Sequence, residues 1–161
     1  MATSQSTKQW LYSIRAISRR KKNIVYEISE IKEEKEMIFD TTHAIFGDES
    51  TAAGSSGISD PTCKKAIYLC ETLQNRLNTL LFEYERLDLE IRQAREKINK
   101  CFEDGNITVQ EYEALFYFYF EGKSNEEVAE AMYFSKEYVF KLKASALKKI
   151  QKYKSVQEIT G

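Results

Sequence analysis

A chain of 161 residues with 42% apolar and 30% charged residues is globular rather than disordered, and is one domain or two small ones. A formal net charge of −1 excludes any case for nucleic acid or membrane built on total charge, so only the distribution of charge along the chain can carry one. No run reaches the roughly 18 apolar residues of a membrane span, and Met1 to Trp10 hold no hydrophobic signal core. Three cysteines (Cys63, Cys70, Cys101) without a CxxC spacing exclude a disulfide framework and a zinc knuckle. The expectation is a reduced, soluble, cytoplasmic protein.

One proline and six glycines suit long uninterrupted helices. From Trp10, the residues Ile14, Ile17, Lys21, Ile24, Ile28, Ile31, Lys35 and Ile38 alternate spacings of four and three, an a/d seam broken by two lysines. A second seam runs through Cys63, Ala66, Cys70, Leu73, Leu77, Leu80, Tyr84, Leu87, Ile91, Ala94, Ile98 and Cys101. At about 1.5 Å per residue each helix spans on the order of 50–60 Å. Between them, Gly47 to Pro61 (GDESTAAGSSGISDP) reads as an exposed connection, with Asp60 as N-cap and Pro61 at the first helical position. The two helices are predicted to fold back as an antiparallel coiled-coil hairpin over residues 1–104, with the loop at 47–61, and to pair with each other or with a second copy. The basic run RAISRRKK, with Arg15 and Arg19 to Lys22, reads as a solvated face or an auxiliary phosphate contact. His43, the single histidine, has no acid or thiol partner in sequence.

Residues 105–154 change character. Gly105 fits the position just past a helix, and Thr108 with Glu111 forms a capping box for a helix from Val109 to about Glu121, through the aromatic run Phe116-Tyr117-Phe118-Tyr119-Phe120. Gly122 ends that helix, and Ser124 with Glu127 opens a short one with apolar Val128, Ala129 and Met132. After a turn at Tyr133-Phe134, Ser135 caps a third helix with the stripe Val139, Leu142, Ala146 and Ile150; residues 155–161 are a tail. Short helix, tight turn and longer helix is a helix-turn-helix layout. Charge separates along it. Glu111 to Glu130 carries a net −5, while Lys136 to Lys154 carries seven lysines against Glu137, a net +6. Positive charge concentrated on the helix that would enter a major groove is the footprint of a duplex binder.

The segment SKEYVFKLKASALKKI, Ser135 to Ile150, resembles the end of region 4 of bacterial sigma-70 factors, and YFEGKSNEEVAEAM upstream extends the likeness to roughly residues 108–153. The resemblance implies a recognition helix in which Lys136 and Glu137 stand where sigma factors carry an Arg-Glu pair, and Lys141 stands at a groove-facing position. Phe140 departs from the usual arginine and Ser145 from the common lysine, so the −35 consensus is not implied. The candidate DNA-facing set is Lys136, Glu137, Tyr138, Phe140, Lys141, Ala144, Ser145 and Lys148. Side-chain chemistry suits Lys136 and Lys141 to phosphate or guanine and Glu137 to cytosine N4.

Thr7 to Leu11 (TKQWL), the heptad helices and the sigma-like end together resemble phage and prophage late transcription activators of the RinA and ArpU type. The fold expected is all-α, a long helical hairpin followed by a sigma-70 region 4-like helix-turn-helix. The function expected is sequence-specific transcription activation on promoter DNA with host RNA polymerase, as a homodimer through the hairpin, in the bacterial cytoplasm. A small terminase-like packaging protein and a coiled-coil adaptor are the alternatives. In the aromatic run, Ala114, Tyr117 and Phe120 are expected to close the helix-turn-helix core. Phe116 and Phe118 then need cover from the hairpin, the polymerase or a second subunit. No phosphate-cradling glycine loop, nucleophile elbow or ligand-spaced set of His, Cys and acids points to an enzyme, a metal or a cofactor.

Overall fold

The computed structural model describes residues 6–46 and 61–160, and the elements formed by them are all helical. Helix α1 spans Thr7–Phe46, α2 Pro61–Glu103, α3 Val109–Leu115, α4 Asn125–Met132 and α5 Lys136–Thr160, with a π-helical turn at Phe116–Phe120 continuing α3. Most of the loop expected at 47–61, the Asp60 cap, the His43 side chain and Gly161 lie outside the described residues. Helix α5 continues to Thr160, through most of the segment expected as a tail. No described helix is long and apolar enough to cross a membrane.

The chain forms two compact units, Met1–Lys22 with Arg86–Gly161, and Asn23–Glu85. These do not divide at residue 104, where the sequence composition changes. The reason is a shared core. Leu11 and Ile14 of α1 and Ile91, Ala94, Ile98 and Cys101 of α2 bury their side chains in the same cluster as Leu115, Phe118, Val128, Val139 and Ile150. Within this unit α1 and α2 run in opposite directions, since Lys97 lies over the Trp10 ring while Lys21 Nζ meets Asp88 Oδ1 at 2.6 Å. In the unit Asn23–Glu85, the seam positions Ile24, Ile31, Leu73, Leu77 and Leu80 are buried, and the second seam lysine, Lys35, donates to Gln74 Oε1 at 2.5 Å. Both lysines that break the a/d pattern thus find a polar acceptor on α2, which removes most of the cost of placing an ammonium in an apolar seam.

The helix ends explain why the chain changes direction where it does. Ser6 opens α1 with a reciprocal pair of bonds to Gln9, Gln9 N–H to Ser6 Oγ at 3.2 Å and Ser6 N–H to Gln9 Oε1 at 3.3 Å. Helix α2 ends in a Schellman motif: Asn106 N–H donates to Cys101 O at 3.1 Å and Gly105 N–H to Phe102 O at 2.9 Å, with Gly105 at φ 77°. Four residues later the chain is helical again, because Thr108 Oγ1 accepts from Glu111 N–H at 3.2 Å while Glu111 Oε1 accepts from Thr108 N–H at 3.4 Å. Thr108→Ala is expected to lower stability by about 1 kcal/mol and Thr108→Ser to leave it nearly unchanged, as measured by urea denaturation.

The aromatic run is not a regular α-helix. Glu121 N–H reaches back to Phe116 O at 3.0 Å and Lys123 N–H to Tyr117 O at 3.0 Å, so the last turn is widened before Gly122 closes it at φ 72°. A wider turn rotates each residue less from its predecessor. Three consecutive aromatics, Phe118, Tyr119 and Phe120, can then all face the interior.

Candidate nucleic-acid interface

Helices α4 and α5 are held by caps and by a small shared core. Ser124 Oγ accepts from Glu127 N–H at 3.2 Å, and Ser135 Oγ accepts from Tyr138 N–H at 3.2 Å. Helix α4 ends with Tyr133 in the left-handed region at φ 58°, and Phe134 N–H returns to Ala129 O at 3.0 Å. A tyrosine there replaces the usual glycine at a steric cost of about 1–2 kcal/mol. Its side chain gains nothing from burial, being 93% exposed. Val128, Ala129 and Met132 of α4 share a core with Val139, Leu142 and Ala146 of α5, whose alanines leave room for a close crossing.

That packing decides which face of α5 is turned outward. Lys136, Glu137, Tyr138, Phe140, Lys141, Ala144 and Lys148 are exposed, and Ser145 is half-buried. Glu137, Lys141, Ala144 and Lys148 follow one another at spacings of four, three and four, a single stripe opposite the buried Val139, Leu142, Ala146 and Ile150. All eight candidate residues are thus on or beside one side of one helix. Tyr138 additionally donates its hydroxyl to Gln110 Oε1 at 3.2 Å, which ties the first turn of α5 to α3.

The lysines of α5 divide more sharply than their number suggests. Lys143 is only 8% exposed; its ammonium donates to Asn125 Oδ1 and lies 3.5 Å from the centroid of the Phe118 ring. Burial, with a smaller contribution from Arg15, brings its pKa down to about 8. Lys149 meets Glu111 Oε1 at 2.6 Å, and Lys136 meets Glu126 Oε1 at 2.5 Å in an exposed pair. The Glu111 carboxyl is held below its ordinary range although burial opposes this, because the bonds from Lys149 and Thr108 outweigh the loss of solvent. Lys141 and Lys148, on the outward stripe, have no carboxylate partner among the described residues. The positive charge that α5 offers to a partner is therefore smaller than the lysine count, and on that stripe Lys141 and Lys148 stand against Glu137.

The basic run on α1 has a structural task. Arg15 Nη1 donates to Phe118 O at 2.5 Å and Lys123 O at 2.8 Å, Ser18 Oγ donates to Tyr119 O at 3.2 Å, and Lys22 Nζ donates to Glu121 O. These are the carbonyls left without partners where the widened turn ends, and cations suit the negative end of a helix. The Arg15 guanidinium also lies 3.9 Å from the Phe118 ring centroid, and Arg95 lies 5.0 Å from that of Phe116. The cover for both phenylalanines is thus supplied by α1 and α2 of the same unit. Local sequence patterns gave no sign of this, because the acceptors lie about a hundred positions away. Among the described residues no group of three or more His, Cys, Asp or Glu side chains is placed to hold a metal ion.

No family model matches the sequence, and no curated protein or solved structure matches the chain.

Proposed function

We propose that this protein is a sequence-specific DNA-binding transcription regulator. In this reading α4 and α5 are a sigma-70 region 4-like helix-turn-helix, and α1 with α2 is an antiparallel hairpin through which two copies pair. The type is that of phage and prophage late activators, acting with host RNA polymerase. The observation that supports it is the outward stripe of α5. A major groove admits one helix, and this helix presents an acceptor (Glu137), two cations (Lys141, Lys148) and a methyl group (Ala144) along one line, with the exposed Phe140 beside it. Glu137 would accept from cytosine N4, Lys141 would donate to guanine, and Phe140 with Ala144 would meet thymine methyls. Lys136 and Lys148 would hold phosphates. A pair of copies would read two half-sites, and their spacing would add specificity.

The test is retention of promoter fragments from the source genome in gel-shift titrations at several salt concentrations. Lys136→Ala with Lys141→Ala is expected to weaken specific binding by about tenfold to a hundredfold and to reduce the salt slope by roughly 1, for the one phosphate contact that Lys136 makes. Unchanged affinity and slope in the double variant would remove α5 from the interface and sink the reading.

A further inference from the structure

Away from the α5 stripe, the start of α1, the last turns of α2 and residues 150–154 of α5 line a cavity of about 340 Å³ within the unit Met1–Lys22 with Arg86–Gly161. Its volume lies at the small end of the range for organic-ligand sites, roughly 300–1,000 Å³. The floor is apolar, from Trp10, Ile98 and Ile150. Its lining also includes three lysines, Lys97, Lys100 and Lys154. Lys154 Nζ lies 4.6 Å and Lys97 Nζ 5.9 Å from the centroid of the Trp10 ring. None of the three has a carboxylate partner among the described residues. Asp104, just past the end of α2, accepts the Tyr153 hydroxyl at 2.6 Å.

Two like charges drawn to one indole repel each other, and the ring quadrupole offsets this only weakly. A group bearing two negative charges between them would do so directly. We propose that this cavity binds a small organic phosphate of nucleoside monophosphate size, its phosphate held by Lys97, Lys100 and Lys154 and its planar body laid on Trp10, Ile98 and Ile150. Inorganic phosphate would satisfy the lysines but leave the apolar floor uncovered. An acidic peptide spaces its carboxylates along a chain, whereas Lys97, Lys100 and Lys154 line one opening, and two of them lie over a single ring. A duplex backbone cannot bring a base to the floor without unstacking it. The site is independent of the DNA-binding reading, because none of its residues belongs to the α5 stripe.

Trp10 is the only tryptophan, so its fluorescence reports the site directly. The full chain is titrated at constant ionic strength with adenosine and guanosine monophosphates, inorganic phosphate, an acidic leucine-bearing peptide and a duplex oligonucleotide, with calorimetry alongside. A saturable change with a nucleoside monophosphate is expected, at least tenfold tighter than with inorganic phosphate. Lys97→Ala with Lys154→Ala is expected to weaken it at least tenfold while far-UV circular dichroism stays the same. The proposal is overturned by no saturable response to either nucleotide at millimolar concentration, or by equal affinity for inorganic phosphate. It is also overturned by binding of the peptide alone, or by duplex binding that is lost in the same double variant while the nucleotides have no effect.

Discussion

Phe118→Ala is expected to destabilise the protein by about 3–5 kcal/mol, the cost of truncating a buried aromatic side chain. The ring is 5% exposed, and more than volume depends on it. Arg15 on α1 and Lys143 on α5 approach its centroid to 3.9 and 3.5 Å, and Tyr12 and Tyr119 pack edge-on at 6.3 and 4.8 Å. Removing it leaves two cations beside a void in a region largely closed to water. Urea denaturation followed by Trp10 emission reads the loss, since Trp10 packs against the same core. A loss below about 1 kcal/mol would mean that the core collapses onto the gap and that Phe118 does not join α1 to α5.

Lys143→Met is expected to act in the opposite direction, raising stability by up to about 3 kcal/mol near neutral pH. Burial holds the folded-state pKa at about 8, against the 10.5 of an ordinary lysine. Below pH 8 the ammonium is charged in both states, and its desolvation penalty is present in full. Between 8 and 10.5 the unfolded chain binds the proton that the folded chain has released, so stability rises with pH. Methionine has a similar length, places no charge beside Phe118 and Phe140, and suits their rings. The variant should therefore gain most at pH 7 and lose the rise between pH 8 and 9. Above pH 9 other groups work the other way, among them Cys101, whose thiol burial raises from 9.0, and Tyr119, whose hydroxyl burial carries from 10.0 to about 12. Both are common to the two proteins and cancel in the difference. A variant less stable than its parent at pH 7, with the same pH profile, would show that Asn125 and the two rings more than compensate the buried charge.

These two residues also mark how much of the molecule is legible without coordinates. Thr108, Ser124 and Ser135 announce their helices because a cap is a local matter, settled by a side chain and an amide three residues on. The a/d seams are legible for the same reason, since a repeat of four and three needs only the geometry of one helix. The exposed stripe Glu137, Lys141, Ala144 and Lys148 follows once the buried stripe of α5 is known. Lys143 could not be separated from the other lysines in this way: it is one position from Leu142 and two from Lys141, and its fate depends on Asn125 and Phe118 of other elements. The Ser6-Gln9 cap was within reach of a local rule, as a serine followed three residues later by a glutamine.

The helical class, nearly every helix start and the inward side of α5 are written in the residues themselves, because all three are set by contacts within a few residues. Tertiary structure alone decided that Arg15, Ser18 and Lys22 serve carbonyls at the end of the aromatic turn, and that α1 and α2 cover Phe116 and Phe118. It also brought Trp10, Lys97 and Lys154 round one cavity. Such pairings depend on which distant surfaces meet when the apolar faces are buried, and no periodicity along a single helix records its partner.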